Sequence, residues 1–214
     1  MIAEPDVSLT DYGIALECAA FTWLLLKKSR QSSLAGWFTL FFSSLGLGAV
    51  FGGTVHGFFN DPSSLRYRIF WPASLISIGM VTLATWGMAS TIYFSSGTAR
   101  WVSQGAAFVF MLYVGIILFI RQHFWIAICD YLPASLFLLG VWITVYRRTK
   151  AKPVLTGIYG LILTLLAAGV QLGKVAIHPL YFNHNAFYHL IQAAALFMVF
   201  LSARWFTSEW KESH

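Results

Sequence analysis

The sequence has 214 residues, of which 58% are hydrophobic, 17% aromatic and only 10% charged. Because a typical soluble domain carries about 25% charged residues, this composition excludes a soluble globular protein and a disordered chain. The 14 lysines and arginines are scattered and there are only two cysteines, which excludes nucleic-acid binding and a disulfide scaffold. The net charge of +6 therefore needs another explanation, which membrane topology supplies.

Hydrophobic runs separated by charged residues, prolines, glycines and serines divide the chain into seven segments. They span about residues 9–26, 35–58, 69–94, 101–120, 124–146, 154–177 and 185–206. We predict an all-α polytopic membrane protein, in which residues 1–214 form a single seven-transmembrane-helix bundle. The first ten residues contain Glu4 and Asp6 but no lysine or arginine, so we expect no cleavable signal peptide.

The basic residues are unequally divided between the two faces of this predicted bundle. Ten lie on one face, namely Lys27, Lys28, Arg30, Arg100, Arg147, Arg148, Lys150, Lys152, Arg204 and Lys211. Four lie on the other face, namely Arg66, Arg68, Arg121 and Lys174. By the positive-inside rule, this predicts an outside N-terminus, a cytoplasmic C-terminus and an integral protein of the cell (inner) membrane.

Polar residues inside the predicted spans lie at one depth, near the outer ends of the helices. Ionisable side chains are costly in hydrocarbon, so such residues are candidates for function. The candidates are Asp11 and Glu17 in helix 1, His56 in helix 2, Asp130 in helix 5, Gln171 and Lys174 in helix 6, and Asn185, His189 and Gln192 in helix 7.

Two of these helices carry polar stripes. Asn185, His189 and Gln192 are spaced i, i+4, i+7, and Gln171, Lys174 and His178 are spaced i, i+3, i+7. Because lipid offers polar groups no partners, we expect the stripes to face each other across an outward-opening cavity. Gly48 and Gly52 have the spacing that allows close helix contact, which would bring helix 2 and its His56 toward this cavity. We expect Glu17 and Asp130 to border the same cavity.

An acid in helix 1 and histidines in helices 2 and 7 resemble the superfamily of alkaline ceramidases and adiponectin-receptor-type proteins. Glu17 resembles the helix 1 acid of that superfamily, His56 the helix 2 ligand, and His189 the second histidine of a His-x-x-x-His motif. The resemblance implies a membrane-embedded fold in which three histidines hold a zinc ion that activates water against a lipid amide or ester.

The sequence departs from that pattern at three places. Asn185 stands where the first histidine of the motif is expected, and Gly52 stands four residues before His56 where a serine is expected. Helix 3 offers Ser74 and Ser77 but no aspartate. Since catalytic zinc normally has three protein ligands, His56 and His189 leave one ligand to be found.

Several residues are candidates for the third ligand. His184 is five residues from His189, about 140° away on a regular helix, so it could join only if the start of helix 7 unwinds. Asp130 or Glu17 could supply an oxygen ligand instead. In a further alternative, the chain keeps the cavity and has changed or lost the metal.

These residues leave several classes of function open. The first is a zinc-dependent hydrolase of a membrane lipid amide or ester, with metal ligands among His56, His189 and His184, a carboxylate from Glu17 or Asp130, and Lys174 or Gln192 stabilising the oxyanion. The second is a metal-free acyl transferase that uses the histidines as base and acid. The third is a non-catalytic lipid-binding or receptor-like protein, and the fourth a two-histidine haem bundle. Lys174, Arg66 and Arg68 would favour an anionic lipid headgroup.

Overall fold

The computed structural model describes residues 2–29, 32–178 and 181–210, without the side chains of residues 27–29. Arg30 and Lys211, and the side chains of Lys27 and Lys28, all of which entered the charge count, lie outside this description. The helices are α1 Pro5–Ser29, α2 Ser33–Phe58, α3 Leu65–Tyr93, α4 Ser96–Phe119, α5 Phe124–Thr149, α6 Lys152–Leu172 and α7 His184–Phe206. Over the described ranges, the all-α prediction with seven helices long and apolar enough to cross a membrane is confirmed.

The largest boundary error is at the end of α6, which was predicted to reach residue 177 and ends at Leu172. Gly173 caps the helix and Lys174 turns into the left-handed region with φ 51°. The Val175 N–H then donates to the Val170 carbonyl oxygen at 3.0 Å, which closes the last turn. Lys174 therefore lies outside the helix and away from the stripe that was predicted for it.

Six of the helices form a closed ring in the order α1, α2, α3, α5, α6, α7, with α7 packed back against α1. The remaining helix, α4, packs mainly against the outer side of α3. Its Tyr113 hydroxyl donates to the Leu75 carbonyl oxygen at 2.8 Å, and the tyrosine ring occupies the space left by Gly79. The closed ring of six helices thus brings the first and last helices of the chain into contact.

Glycines on α2 allow two neighbouring helices to approach its backbone. The glycines that contact α1 include Gly46, Gly53 and Gly57, whereas Gly48 contacts α3. A Cβ atom on Gly53 would lie 2.9 Å from the Asp11 Cβ, and one on Gly48 would lie 3.3 Å from the Ser77 Cβ. The close helix contact predicted from the small-residue spacing in α2 is therefore confirmed.

One end of the bundle is filled with aromatic rings, and we call it the aromatic end. Its residues are Phe21, Phe38, Phe42, Trp142, Phe200 and Phe206. Phe21 of α1 stacks on Phe200 of α7 with ring centroids 4.1 Å apart, and Trp142 of α5 lies 5.4 Å from Phe206. Trp142 and Phe38 are completely buried. Dense packing of these aromatic side chains holds the six helices together at this end.

Candidate functional site

At the other end, all six ring helices surround a cavity of about 300 Å³, which we call the polar cavity. Its acidic, histidine and amide residues are Asp11, His56, Gln171, Asn185, His189 and Gln192. The predicted meeting of the α6 and α7 stripes is confirmed for Gln171 and for all three residues of the α7 stripe. Polar side chains from four helices are thus gathered where they can form hydrogen bonds with one another.

The glycines of α2 set the position of Asp11 in this cavity. The Ser8 hydroxyl donates to the Gly53 carbonyl oxygen at 2.8 Å, which anchors α1 directly on the α2 backbone. One turn further along α1, the Asp11 carboxyl group lies over Gly52, where a Cβ atom would be 3.4 Å from Asp11 Oδ2. Ser74 of α3 lies 3.6 Å from the same Cβ position of Gly52, and its hydroxyl donates to the Gly48 carbonyl oxygen at 3.1 Å. Because the α2 glycines have no side chains, there is space for the Asp11 carboxyl group beside the α2 backbone.

Asp11 and His189 form a buried pair that joins α1 to α7. Asp11 Oδ1 lies 3.3 Å from His189 Nε2, and the two side chains are 8% and 11% exposed. The other ring nitrogen, Nδ1 of His189, lies 3.0 Å from the Thr10 hydroxyl oxygen. Both nitrogens of the imidazole are therefore engaged by consecutive residues of α1.

The hydrogen bonds of Thr10 determine which ring nitrogen of His189 carries a proton. The Thr10 hydroxyl lies 2.8 Å from the Asp6 carbonyl oxygen and 3.0 Å from the Val7 carbonyl oxygen, both of which can only accept. It therefore donates to a carbonyl and accepts from the Nδ1–H of His189. Nε2 then faces a carboxyl oxygen of Asp11, and two bare acceptors would repel each other. The Asp11–His189 pair accordingly holds one shared proton.

His56 has its own acidic partner outside the helices. Its Nδ1 donates to Glu4 Oε2 at 2.9 Å, and the side chains are 26% and 40% exposed. The Glu4 N–H also donates to the His56 carbonyl oxygen at 3.3 Å, and the Ala3 N–H to the Gly57 carbonyl oxygen at 2.9 Å. With Nδ1 donating, Nε2 of the neutral ring keeps its lone pair as an acceptor.

The start of α7 is tied to the start of α1. Asn183 caps α7 by accepting from the backbone N–H groups of Asn185 and Ala186 at 2.9 and 3.1 Å. The Asn183 N–H in turn donates to Asp6 Oδ2 at 3.0 Å, which places an acid at the positive end of the α7 dipole. This contact holds His189 in register with Asp11, because Asp6 and Asp11 are on one helix.

Amide side chains complete the polar wall between α6 and α7. Gln171 Nε2 donates to Asn185 Oδ1 at 3.3 Å across the two helices. Gln192 lies two turns deeper than Asn185, is 5% exposed, and its Oε1 has no hydrogen-bond partner among the described residues. Buried polar atoms are rarely left unpaired, so this oxygen marks a place where a ligand can donate.

A second cavity of about 100 Å³ adjoins the polar cavity, and we call it the apolar cavity. The two cavities share six lining residues, namely Leu45, Ile78, Phe124, Gln171, Tyr188 and Gln192. Beyond this shared wall, the apolar cavity runs along α5 and α6 past Tyr131 and Ala168. A polar space therefore continues directly into an apolar one.

The structure divides the predicted site residues into two groups. His56, His189 and Gln192 line the polar cavity, whereas Glu17, Asp130, Lys174 and His184 are not among its lining residues. The expectation that Glu17 borders this cavity is wrong, because Glu17 follows Asp11 by six residues. Six residues rotate a helical position by about 120° and place it about 9 Å deeper.

Asp130 lies on a different surface of the bundle, so the expectation that it borders the polar cavity is also wrong. It lines a cleft between α4 and α5, with Val102, Ala106 and Pro133 nearby. The physical reason is the packing of α5 on α3, which turns Asp130 toward the α3 residue Thr82. The next residue, Tyr131, is the one that reaches the apolar cavity.

The basic residues and the histidine that were predicted to join the site also lie outside the polar cavity. Lys174 is exposed beyond the end of α6, and Arg66 is exposed with its guanidinium 5.2 Å from the centroid of the Phe59 ring. His184 is the first residue of a regular, capped α7, so the unwinding that would bring it beside His189 is not found. Among the described lining residues there is no lysine or arginine, which removes the basis for an anionic headgroup.

Asp11 is the site residue that the sequence analysis noticed but did not select. A signal for it is present in helix 1. One face of this helix repeats small side chains at helical spacing, namely Ser8, Asp11, Ala15 and Cys18. This face contacts the α2 glycines. Glu17 lies off this face. A search for the small-residue face of helix 1 would have selected Asp11.

The zinc site implied by the superfamily resemblance does not fit the residues that the structure describes. No three of their His, Cys, Asp and Glu side chains form a group that could hold a metal ion. His189 would have to release Thr10 or Asp11 before a ring nitrogen could bind a metal, because a ligand nitrogen needs a free lone pair. The donor set is suited to hydrogen bonding and proton transfer.

Comparison with known proteins identifies a family. No curated protein and no solved structure matches the chain. The match is to a family described as a family of unknown function (DUF6962), and it covers residues 7–207, which include all seven helices except the first residues of α1. The resemblance to alkaline ceramidases stays a prediction from the residues quoted for it. By this match over nearly its whole length, the chain belongs to the DUF6962 family.

Proposed function

We propose that this protein is an integral membrane protein that binds a lipid-type amphipathic molecule. The polar head of the molecule would occupy the polar cavity and its hydrocarbon chain the apolar cavity. The observation that carries the proposal is the wall that the two cavities share, formed by Gln171, Gln192 and four other residues. A ligand with one polar and one apolar part matches this continuity, because each part is then buried against groups of its own kind.

The chain would expose the polar cavity at the outer face of the cell membrane. The division of basic residues, ten against four, supports an outside N-terminus. Impermeant thiol labelling of a cysteine introduced within residues 2–6 of a C18A/C129A background tests this orientation. We expect labelling in intact cells. Protection there, together with labelling at residue 212, would place the cavity on the cytoplasmic side.

The ligand-binding function can be tested through the apolar cavity. We propose measuring the melting temperature of the protein in lipid nanodiscs with added amphiphiles of increasing chain length. Ala168→Phe places a ring in the apolar cavity, and Ala19→Phe places the same ring on an exposed face of α1. We expect longer chains to stabilise the parent protein and Ala19→Phe but not Ala168→Phe. An equal response of both variants would contradict the proposal.

A second candidate function is metal-free acid–base chemistry on the bound molecule, such as acyl transfer or hydrolysis of a lipid amide or ester. The Asp11–His189 pair favours it, because a pair that shares one proton can accept or release a proton beside a bound head group. In this role the two side chains act as one unit, with Thr10 fixing the imidazole tautomer. The reaction needs no step at a metal ion.

The enzymatic candidate is tested by assaying purified protein against a panel of lipid amides and esters, with and without an acyl acceptor. We expect Asp11→Asn to lower any turnover by about 10²–10⁴-fold, the usual contribution of an acid–base group. Glu17→Gln is the matched control, since Glu17 is outside the polar cavity. Turnover that survives Asp11→Asn would rule out this pair as the acid–base group.

A further inference from the structure

The polar cavity is rich in hydrogen-bond acceptors and poor in positive charge. None of the described residues that line it is a lysine or arginine, whereas the Asp11 carboxyl group lies in its wall. Behind His56, the Glu4 carboxylate places a negative charge near the cavity. From this chemistry we infer that the head group bound in the polar cavity is a protonated amine. The inference rests on the proposed binding function and names the class of its ligand.

The side-chain oxygen of Gln192, which lacks a hydrogen-bond partner among the described residues, is the strongest single observation for an amine head group. The Gln192 side chain is 5% exposed, lines both cavities, and its buried Oε1 accepts no hydrogen bond from the described residues. A donor on a ligand in the cavity would supply the hydrogen bond that this amide oxygen lacks. Its place in the wall shared by the two cavities is where the head group of an amphipathic ligand meets its chain.

Two further acceptors are available around the same space. Asp11 offers the carboxyl oxygen that His189 does not engage, Oδ2, which lies over Gly52. The neutral form of His56 offers Nε2, because in that form the ring's one hydrogen is on Nδ1, which donates to Glu4. These acceptors belong to α1 and α2, whereas Gln192 belongs to α7. A head group with several donors thus meets acceptors from three helices that line one cavity.

Counting donors separates the possible head groups. An alkylammonium carries three N–H donors and a positive charge, an alcohol carries one donor, and a carboxylate or phosphate monoanion is mainly an acceptor. Of these, only the ammonium satisfies several acceptors at once, and its binding releases the proton shared by Asp11 and His189, which leaves the Asp11 carboxylate as its counter-ion. An anion would face the oxygens of Asp11 and Gln192 without a lysine or arginine in the described wall to bind it.

The test compares single-chain amphiphiles that differ only in the head group. Dodecylamine, dodecanol and dodecanoate are titrated below their critical micelle concentrations into the protein in zwitterionic nanodiscs, and the dissociation constant of each is measured. The same titrations into empty nanodiscs subtract partitioning into the bilayer. We expect dodecylamine to bind at least tenfold more tightly than dodecanol, and dodecanoate more weakly than dodecanol.

Two substitutions test whether the preference for the amine over the alcohol arises in the polar cavity. Gln192→Met removes the acceptor at similar size, and we expect it to weaken dodecylamine about tenfold while changing dodecanol much less. Gln104→Met is the matched control, because Gln104 is exposed on α4. A melting curve without ligand verifies that each variant is folded.

The outcomes separate this inference from the function on which it rests. Amine selectivity that Gln192→Met abolishes and Gln104→Met retains supports both. Equal or tighter binding of dodecanol or dodecanoate overturns the amine assignment but leaves lipid binding standing. If none of the three compounds binds above the empty-nanodisc background, the proposed function itself fails.

Discussion

The two ends of the bundle are built from the same helices but are filled in opposite ways. At the aromatic end, aromatic side chains from four helices pack against one another, with Trp142 and Phe38 completely buried. At the other end, α1, α2 and α7 contribute glycines, acids and histidines, and a cavity of about 300 Å³ remains. Helix α7 takes part in both, through Phe200 and Phe206 at one end and His189 at the other.

This difference indicates that the two ends of the helices have different roles, one in stability and the other in ligand binding. Ring packing supplies many dispersion contacts and so holds the helices together where they are closest. A cavity gives up such contacts, and buried polar groups contribute little net stability even when they are paired. Changes at the aromatic end should therefore act on stability, whereas changes at the polar cavity should act on ligand binding.

The largest expected effect comes from filling the space beside Trp142. In α6, a Cβ atom on Gly157 would meet the Ser202 hydroxyl and the Trp142 ring, which leaves no space for a side chain. We expect Gly157→Leu to lower the unfolding free energy by about 3 kcal/mol, the upper end of the cost of overpacking. Detergent unfolding followed by tryptophan fluorescence measures the change.

The control is on the same helix. Gly169 has open space where its Cβ atom would be, so Gly169→Leu should change the unfolding free energy by less than about 0.5 kcal/mol. Equal destabilisation by both substitutions would show that α6 is sensitive along its whole length and would break the distinction between the two ends.

Asp11→Asn should show the opposite behaviour, with a large effect on binding and a small one on stability. The asparagine amide keeps the shape of Asp11 and can donate to His189 Nε2, but it cannot carry the negative charge. We expect dodecylamine affinity to fall at least tenfold and the unfolding free energy to change by less than about 1 kcal/mol. Glu17→Gln should change neither. Unfolding of Asp11→Asn without ligand would instead make the pair a structural element.

Glu4→Gln should weaken amine binding by less than Asp11→Asn does. Glu4 is 40% exposed, and exposed ion pairs contribute about 0.2–1 kcal/mol, which corresponds to a change in affinity of at most about fivefold. The glutamine oxygen still accepts from His56 Nδ1, so the ring orientation is kept. Isothermal titration of the nanodisc sample measures this difference. A loss larger than that of Asp11→Asn would make His56 the main contact of the ligand.

Lys174→Gly should have the smallest effect, and the effect should be stabilising. The φ of 51° at Lys174 costs a residue with a side chain about 1 kcal/mol relative to glycine. Lys174→Ala keeps the Cβ atom and should gain nothing, which isolates the backbone contribution. Ligand binding should be unchanged in both variants. A loss of binding would place Lys174 in the site despite its exposed position.

Hydropathy predicted the helices because each apolar run is long and bounded by charged or turn-forming residues. It missed the end of α6 because Val175 and Ile177 extend the apolar run, whereas the helix is stopped at Gly173 and by the left-handed turn at Lys174. Nothing in hydropathy indicates that α4 lies outside the ring, because ring order depends on contacts between distant segments.

The site was predictable where its residues share one helix face and, for His56, from its place at the end of helix 2. The α7 stripe that contains His189 and Gln192 was found by its spacing, and it does line the cavity. The resemblance pointed to Glu17 rather than Asp11 because it compares residue types, whereas helix phase decides which acid faces inward. Glu4 lies just before α1, where no periodicity applies, so its hydrogen bond to His56 could not be predicted.

The joining of α1 to α7 has a consequence for biosynthesis. The hydrogen bond from His189 to Thr10 spans a sequence separation of 179 residues, and that from Asn183 to Asp6 spans 177. A nascent chain carries the α1 half of the site from its first helix onward, yet Asp11 has no imidazole partner until the ribosome has translated α7. The site is therefore assembled only when synthesis of the last helix is complete, and a chain that terminates before His189 retains an unmatched acid in its first helix.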